Sequence, residues 1–112
     1  MSTNTLITLP DAVEHYFKAA DRSDAAAAAA CFTPDATVHD EAHDHVGSDA
    51  IQRWVADTSE KYQPQTTVLS AREEGGKWIV AVRVAGQFPG SPADLEFVFL
   101  LRDGKIAGLV ID

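Results

Sequence analysis

Thr33-Pro-Asp-Ala-Thr-Val-His-Asp-Glu-Ala-His-Asp-His-Val-Gly47 is the stretch on which the reading of this chain turns. Ala36–Val38 is a short β-branched run, and it leads directly into six ionisable side chains: His39, Asp40, Glu41, His43, Asp44 and His45. Strand alternation puts Asp40 on the same side as Val38 and His39 on the opposite side. If Val38 faces a core, Asp40 faces inward. Burial there raises a carboxyl pKa toward the range useful for a proton-transfer base. The plain alternative is a carboxylate that ends the strand and caps the next turn. His43 and His45 share a parity and, with Asp40 or Glu41, could hold a metal, but His-x3-His-x-His is not a diagnostic spacing. The expectation is a polar loop over residues 41–46, with no metal and no cofactor.

Outward from this segment the elements alternate in a definite order. Pro10 and Asp11 suit the first turn of a helix, with Thr8 or Leu9 as the flanking cap. Val13, Tyr16, Phe17 and Ala20 give that helix an apolar face. Asp21–Asp24 breaks it, and Ser23 or Asp24 can cap a short helix of small residues over Ala25–Ala30. After the strand ending at Asp40, Ser48 is placed to cap a third helix bearing Ile51, Trp54, Val55 and Tyr62, with Pro64 as its stop. From there the pattern is β: strands over Thr66–Glu74, Lys77–Phe88, Asp94–Arg102 and Lys105–Ile111. Gly75-Gly76 and Asp103-Gly104 supply two hairpin turns, and residues 89–92 a loop. Helices segregated from a mainly antiparallel sheet mean α+β, and a curved sheet wrapped on a helix leaves a concave, pocket-forming face.

Composition limits the function classes. With 112 residues and 46% hydrophobic side chains the chain is read as one domain, 1–112, able to form a core without disulfides. Its single cysteine, Cys31, reads as a small buried side chain, and a reducing cytoplasm is the expected compartment. Seventeen acids against nine scattered bases give a net charge of −8, so neither a nucleic-acid nor a membrane partner is expected. No apolar run approaches the ~20 residues of a membrane span, and the N-terminus has no signal-peptide pattern.

The layout resembles the nuclear transport factor 2-like superfamily, which includes SnoaL-like polyketide cyclases, ketosteroid isomerases and limonene epoxide hydrolases. The resemblance is carried by the first helix with Tyr16, by Asp24–Phe32, by Pro34-Asp-Ala-Thr-Val-His-Asp40 and by Gly47–Trp54. It implies a cone-shaped fold, three helices in the N-terminal half packed on a curved, mainly antiparallel sheet with an internal pocket. Asp35-Ala-Thr-Val-His-Asp40 matches the isomerases' run, whose last aspartate is the general base. Tyr16 stands where their oxyanion tyrosine sits. The resemblance therefore implies Asp40 and Tyr16 as catalytic residues. The isomerases' second oxyanion acid would fall at Phe99, with Glu96 the nearest acid, which is a departure from the steroid type. The Arg-x-Asp strand pattern of the epoxide hydrolases is not seen.

Around that pair, further residues are candidate substrate contacts. Arg83, among Ile79, Ala81, Ala85 and Gln87, could bind a substrate oxyanion or pair with Asp40 or Glu96, or lie solvated on an open sheet face. His39 could bond a neighbouring carboxylate. Trp54, Phe97 and Phe99 line a pocket or belong to the core, as does Tyr16. Two functions follow. One is an enzyme of isomerase or cyclase type, acting on a small apolar carbonyl compound. The other is a non-catalytic module binding a small hydrophobic ligand. Apolar residues on both sides of the last strands, and the superfamily's habit, imply a homodimer through the outer sheet face.

Overall fold

The computed structural model describes residues 8–112. Helix α1 (Asp11–Asp21) starts directly after Pro10, which itself occupies the cap position; no side chain caps it, and Asp11 and Glu14 sit in the first turn near the positive end of the helix dipole. The expected cap at Thr8 or Leu9 is thus displaced by one or two residues. Helix α2 (Ala25–Ala29) is capped by Asp24, whose side chain accepts from the Ala27 amide at 3.0 Å. Ala28 and Ala29 are buried, because side chains this small let α2 lie close to its neighbours. Helix α3 (Ser48–Tyr62) begins after Gly47, which is the cap residue at φ 89°; Ser48 is its first helical residue rather than its cap. Gln63 ends α3 in the left-handed region at φ 48°.

Six strands form one sheet in the order β2-β1-β6-β5-β4-β3: β1 (Phe32–Asp40), β2 (His43–Val46), β3 (Gln65–Glu74), β4 (Lys77–Ala85), β5 (Ala93–Arg102) and β6 (Lys105–Ile111). Strands β3 to β6 are the expected antiparallel meander, and β6 then pairs parallel to β1. The α+β class is as the sequence implied. Irregularities bend the sheet: β3 slips register between Val68 and Ser70, and β5 against β6 between Leu100 and Leu101.

Three details of the β reading change. Residues 43–46 are a strand and not a loop, paired to β1 from Thr37↔Val46 to Asp40↔His43. Glu41 and Ala42 make the connecting turn, both with positive φ (52° and 64°). Neither is the Gly or Asn that usually marks such a turn, so the sequence carries no signal for it. Strand β1 begins at Phe32 rather than Ala36. Its pairing with β6 is interrupted between Phe32 and Thr37, which is where Pro34, lacking an N–H, can sit. Strand β4 stops at Ala85, short of Phe88, because the next amides are satisfied elsewhere. Gly86 donates to the Ser91 hydroxyl (2.9 Å) and Gln87 to the Tyr62 carbonyl (2.7 Å).

The core forms where the inward residues of the sheet meet α1 and α3. Val80 and Val82 of β4, Phe99 of β5, and Ile106 and Leu109 of β6 are sealed against Val13, Phe17 and Ile51. Burying side chains of this size contributes roughly 1.5–3 kcal/mol each before entropy costs. Among the described residues, no helix is long and apolar enough to cross a membrane.

Gly86 fixes the loop after β4 to the end of α3. A β-carbon added there would lie 2.6 Å from the Tyr62 carbonyl oxygen, a backbone atom that cannot yield cheaply. Gly86→Ala is expected to destabilise the fold by about 1–3 kcal/mol, as overpacking does. Urea unfolding checks this; an unchanged midpoint would show that the loop is free to move away.

Candidate functional site

Strand alternation carries Asp40 inward, as it does the fully buried Val38. The carboxylate emerges at the end of β1, half-buried, and its Oδ2 accepts from the Trp54 indole Nε1–H at 3.0 Å. That bond reaches from the strand to α3, and the indole makes two further contacts. It stacks nearly parallel to the Tyr16 ring (6.4 Å between centroids, 6°) and lies against His45 (5.9 Å, 30°). Tyr16, on the buried face of α1, packs edge-on to Phe32 and Phe99 as well. The three side chains Asp40, Trp54 and Tyr16 come from three different elements and share one wall of a cleft of about 740 Å³.

The opposite walls are apolar. Val84, Leu95, Phe97 and Phe88 line them, and Pro64 and Pro89 lie at the edge. Tyr62 closes one side: its hydroxyl donates to Glu41 Oε1 at 3.1 Å, tying the end of α3 to the β1–β2 turn, and its ring meets Phe88 edge-on. Asp21, at the end of α1, also lines the cleft. The Thr66 amide and hydroxyl both donate to its carboxylate at 2.9–3.2 Å.

Burial sets the electrostatics. It raises the Asp40 pKa above the ordinary carboxylate value; Glu41 adds to the rise, while the Trp54 bond and His45 oppose it. Asp21 is raised by burial too, against the Thr66 bonds, which lower it. The Tyr16 hydroxyl is pushed far above its usual value by burial first and then by the negative charges of Asp40 and Asp21, so it remains a neutral O–H. Among the described residues it makes no hydrogen bond, although no buried side-chain polar atom is left without a partner. Tyr16 lines the cleft, and its hydroxyl has no partner there among the described residues.

Of the residues singled out in the sequence, the structure brings together Asp40, Tyr16, Trp54 and Phe97. His39 borders the same cleft, but its Nδ1 lies 2.6 Å from Asp44 Oδ1 on the next strand. Phe99 does not reach the wall. It is fully buried behind Tyr16 and Phe17. Arg83 lies elsewhere: it projects from the outer sheet face and forms a two-pronged pair with its cross-strand neighbour Asp94 (2.8 and 3.1 Å), not with Asp40 or Glu96. The small apolar residues around it in sequence belong to that outer face. The three clustered histidines also part company, with His39 on Asp44, His45 on Trp54 and His43 exposed. Among the described residues, no three metal-ligating side chains converge.

Asp21, Glu41, Thr66 and Tyr62 line the cleft without having been singled out as site residues. Tyr62 was legible as a member of the α3 apolar period with Trp54 and Val55. Asp21 reads in sequence only as a helix breaker, since its tie to Thr66 spans 45 positions.

Comparison with known proteins places the fold in a family. Residues 13–109 match the SnoaL-like domain. The chain belongs to the SnoaL-like family. A protein of Sinorhizobium meliloti, provisionally designated a polyketide cyclase, is 39% identical over 93% of this chain and 95% of its own, with a TM-score of 0.89. A Catenulispora acidiphila protein with a ketosteroid isomerase-like fold, solved in complex with trimethylamine, shares 20% identity. The match covers 94% of this chain and 86% of that one, with a TM-score of 0.82. The epoxide hydrolase/cyclase-like enzyme SalBIII, which acts in pyran ring formation in the polyether salinomycin, shares 19% identity over 90% and 86% of the two chains, with a TM-score of 0.73. At such identity these last two show the fold. No curated protein matches the sequence.

The raised Asp40 pKa has a sign that can be checked. A carboxyl whose pKa is higher folded than unfolded costs stability above the folded pKa, and the cost vanishes as pH falls below the unfolded value. Asp40→Asn is therefore expected to raise the Tm at neutral pH, with the gain disappearing in strong acid. Trp54→Phe removes the bond that holds the carboxylate down, so the Asp40 pKa should rise further. Carbon-detected carboxyl titration by NMR reads this directly; an unchanged or lower pKa would contradict the assigned role of the indole.

Proposed function

We propose that this SnoaL-like protein is a small-molecule enzyme of the isomerase or cyclase type, with Asp40 as its general base. The carrying observation is the meeting of Asp40 and Tyr16, whose hydroxyl has no hydrogen bond among the described residues, on one wall of a cleft with apolar walls opposite. A mostly apolar carbonyl compound would lie along Phe97, Leu95 and Val84. Asp40 would remove a proton from the carbon beside the carbonyl, and Tyr16 would donate to the developing enolate oxygen. Trp54 holds Oδ2 and stacks on Tyr16, which fixes base and donor relative to each other. Isomerisation returns that proton to another carbon; a cyclisation uses the same enolate to attack an electrophile within the substrate.

A non-catalytic binding module for a small hydrophobic ligand is the second reading. What favours it is the side chain behind Tyr16 on β5. It is Phe99 rather than an acid, so that position offers no second donor to an oxyanion beside Tyr16. Asp21 is the nearest candidate for a second carboxyl, but Thr66 already engages both of its oxygens.

The same reading includes a homodimer in the cytoplasm. Val46, Leu100 and Val110 are 64%, 46% and 41% exposed. All three lie on the outer sheet face by register, Val110 opposite Val98 and Val46 opposite Thr37. A second copy packed there would remove this surface from water. Light scattering at micromolar concentration is expected to give twice the chain mass, and Leu100→Lys to give the monomer; a monomeric parent would remove the dimer from the reading.

Solvent deuterium uptake at the acidic C–H of a panel of apolar ketones tests the chemistry. The rate should rise with pH as Asp40 ionises. Asp40→Asn should lower it by roughly 10²–10⁴ and Tyr16→Phe by roughly 10²–10³. Uptake unaffected by Asp40→Asn would end the base assignment.

A further inference from the structure

The charge of the cleft is one-sided. Four acids line it, Asp21, Asp40, Glu41 and Asp112, and no lysine or arginine does so among the described residues. Five of the nine bases are paired elsewhere: Arg83 with Asp94, Arg102 with Asp35, Arg72 with Glu74, Arg22 with Asp24 and Lys18 with Glu14. Lys61 lies over the Tyr62 ring at 5.0 Å and is exposed, at the rim rather than within. Two imidazoles lie close by: His39, which borders the cleft and is bonded to Asp44, and His45, against Trp54.

Carboxylates gathered in a partly desolvated cleft without a counter-charge are unfavourable in the empty protein. Two of these acids, Asp21 and Asp40, show that cost as raised pKa values. A bound cation removes the penalty, whereas a neutral ligand deepens it by displacing water. The other walls suit a cation with an apolar body. Beyond the acids, Phe88, Phe97 and Leu95 offer apolar surface for that body. Tyr16, 4% exposed and without a hydrogen-bond partner among the described residues, lines the same cleft with an oxygen that can accept from an N–H as readily as it donates to a carbonyl.

We propose that the ligand of this cleft carries a positively charged nitrogen, a protonated or quaternary amine, on an apolar body. This rests on the cleft being a ligand site, as proposed above, and does not require Asp40 to move a proton. If Asp40 does so, the substrate is a carbonyl compound that also bears an amine.

The test uses a matched pair, phenylpropylamine and phenylpropanol, which differ at one terminal group and are respectively cationic and neutral at neutral pH. Each is titrated into the intact protein, with tryptophan fluorescence and calorimetry as readouts. The amine is expected to bind about tenfold or more tightly than the alcohol. Added salt should weaken the amine's binding and leave the alcohol's unchanged. Asp40→Asn should narrow the gap. Glu41→Gln, on an exposed turn where folding is not at risk, should narrow it as well by weakening the amine alone. Equal or tighter binding of the alcohol overturns the charge inference and leaves the cleft standing as a ligand site. Binding of neither at millimolar concentration overturns both.

Discussion

One hydrogen bond, from the Trp54 indole to Asp40, holds the two halves of the site in register. Asp40 is delivered by a strand and Trp54 by a helix that follows two turns later in the chain. Their geometry is fixed only when α3 lies across the open end of β1. The indole's stack on Tyr16 then recruits α1 to the same arrangement. Without the bond, a half-buried carboxylate at a strand end would lose the partner that most stabilises its charge. The wall of the cleft that carries the polar groups depends on this contact, and the apolar walls depend on the alternation of β4 and β5.

The site runs against the stability of the fold. A core of Val, Ile, Leu and Phe on alternating positions is what the sheet and helices need, and most of the sheet has it. At one end that pattern is interrupted by Asp40, Asp21 and the Tyr16 hydroxyl, each of which is disfavoured by burial in its charged form. Departures from an apolar interior of this kind concentrate where ligands bind. The fold limits the cost locally, with Thr66 on Asp21, Trp54 on Asp40 and Tyr62 on Glu41. Among the described residues it places no lysine or arginine in the cleft.

The order of helices and the antiparallel meander were legible because each follows from short-range pattern: a proline and acid at a helix start, apolar residues at helical spacing, glycine pairs between alternating runs. Asp40 and Tyr16 were legible for a related reason, since strand parity fixes the side of Asp40 and helical spacing fixes that of Tyr16. The β1–β2 turn was not, because Glu41 and Ala42 adopt positive φ without the residues that announce it. Arg83 was misleading because its sequence neighbours are small and apolar. On a twisted sheet such residues serve an outer face as well as an inner one, and only the cross-strand partner, Asp94, decides which.

The sequence by itself determined the α+β class, the element order, the inward parity of Asp40 and the excess of negative charge. These rest on interactions between residues a few positions apart, or on composition alone. Only the tertiary structure decided that the segment Thr33–Gly47 forms a hairpin rather than a strand and loop, and that its histidines point to three different surroundings. It alone joined Asp21 to Thr66, Glu41 to Tyr62 and Asp40 to Trp54. Those contacts lie 14 to 45 positions apart and are set by how helices settle on a sheet, which no local pattern encodes.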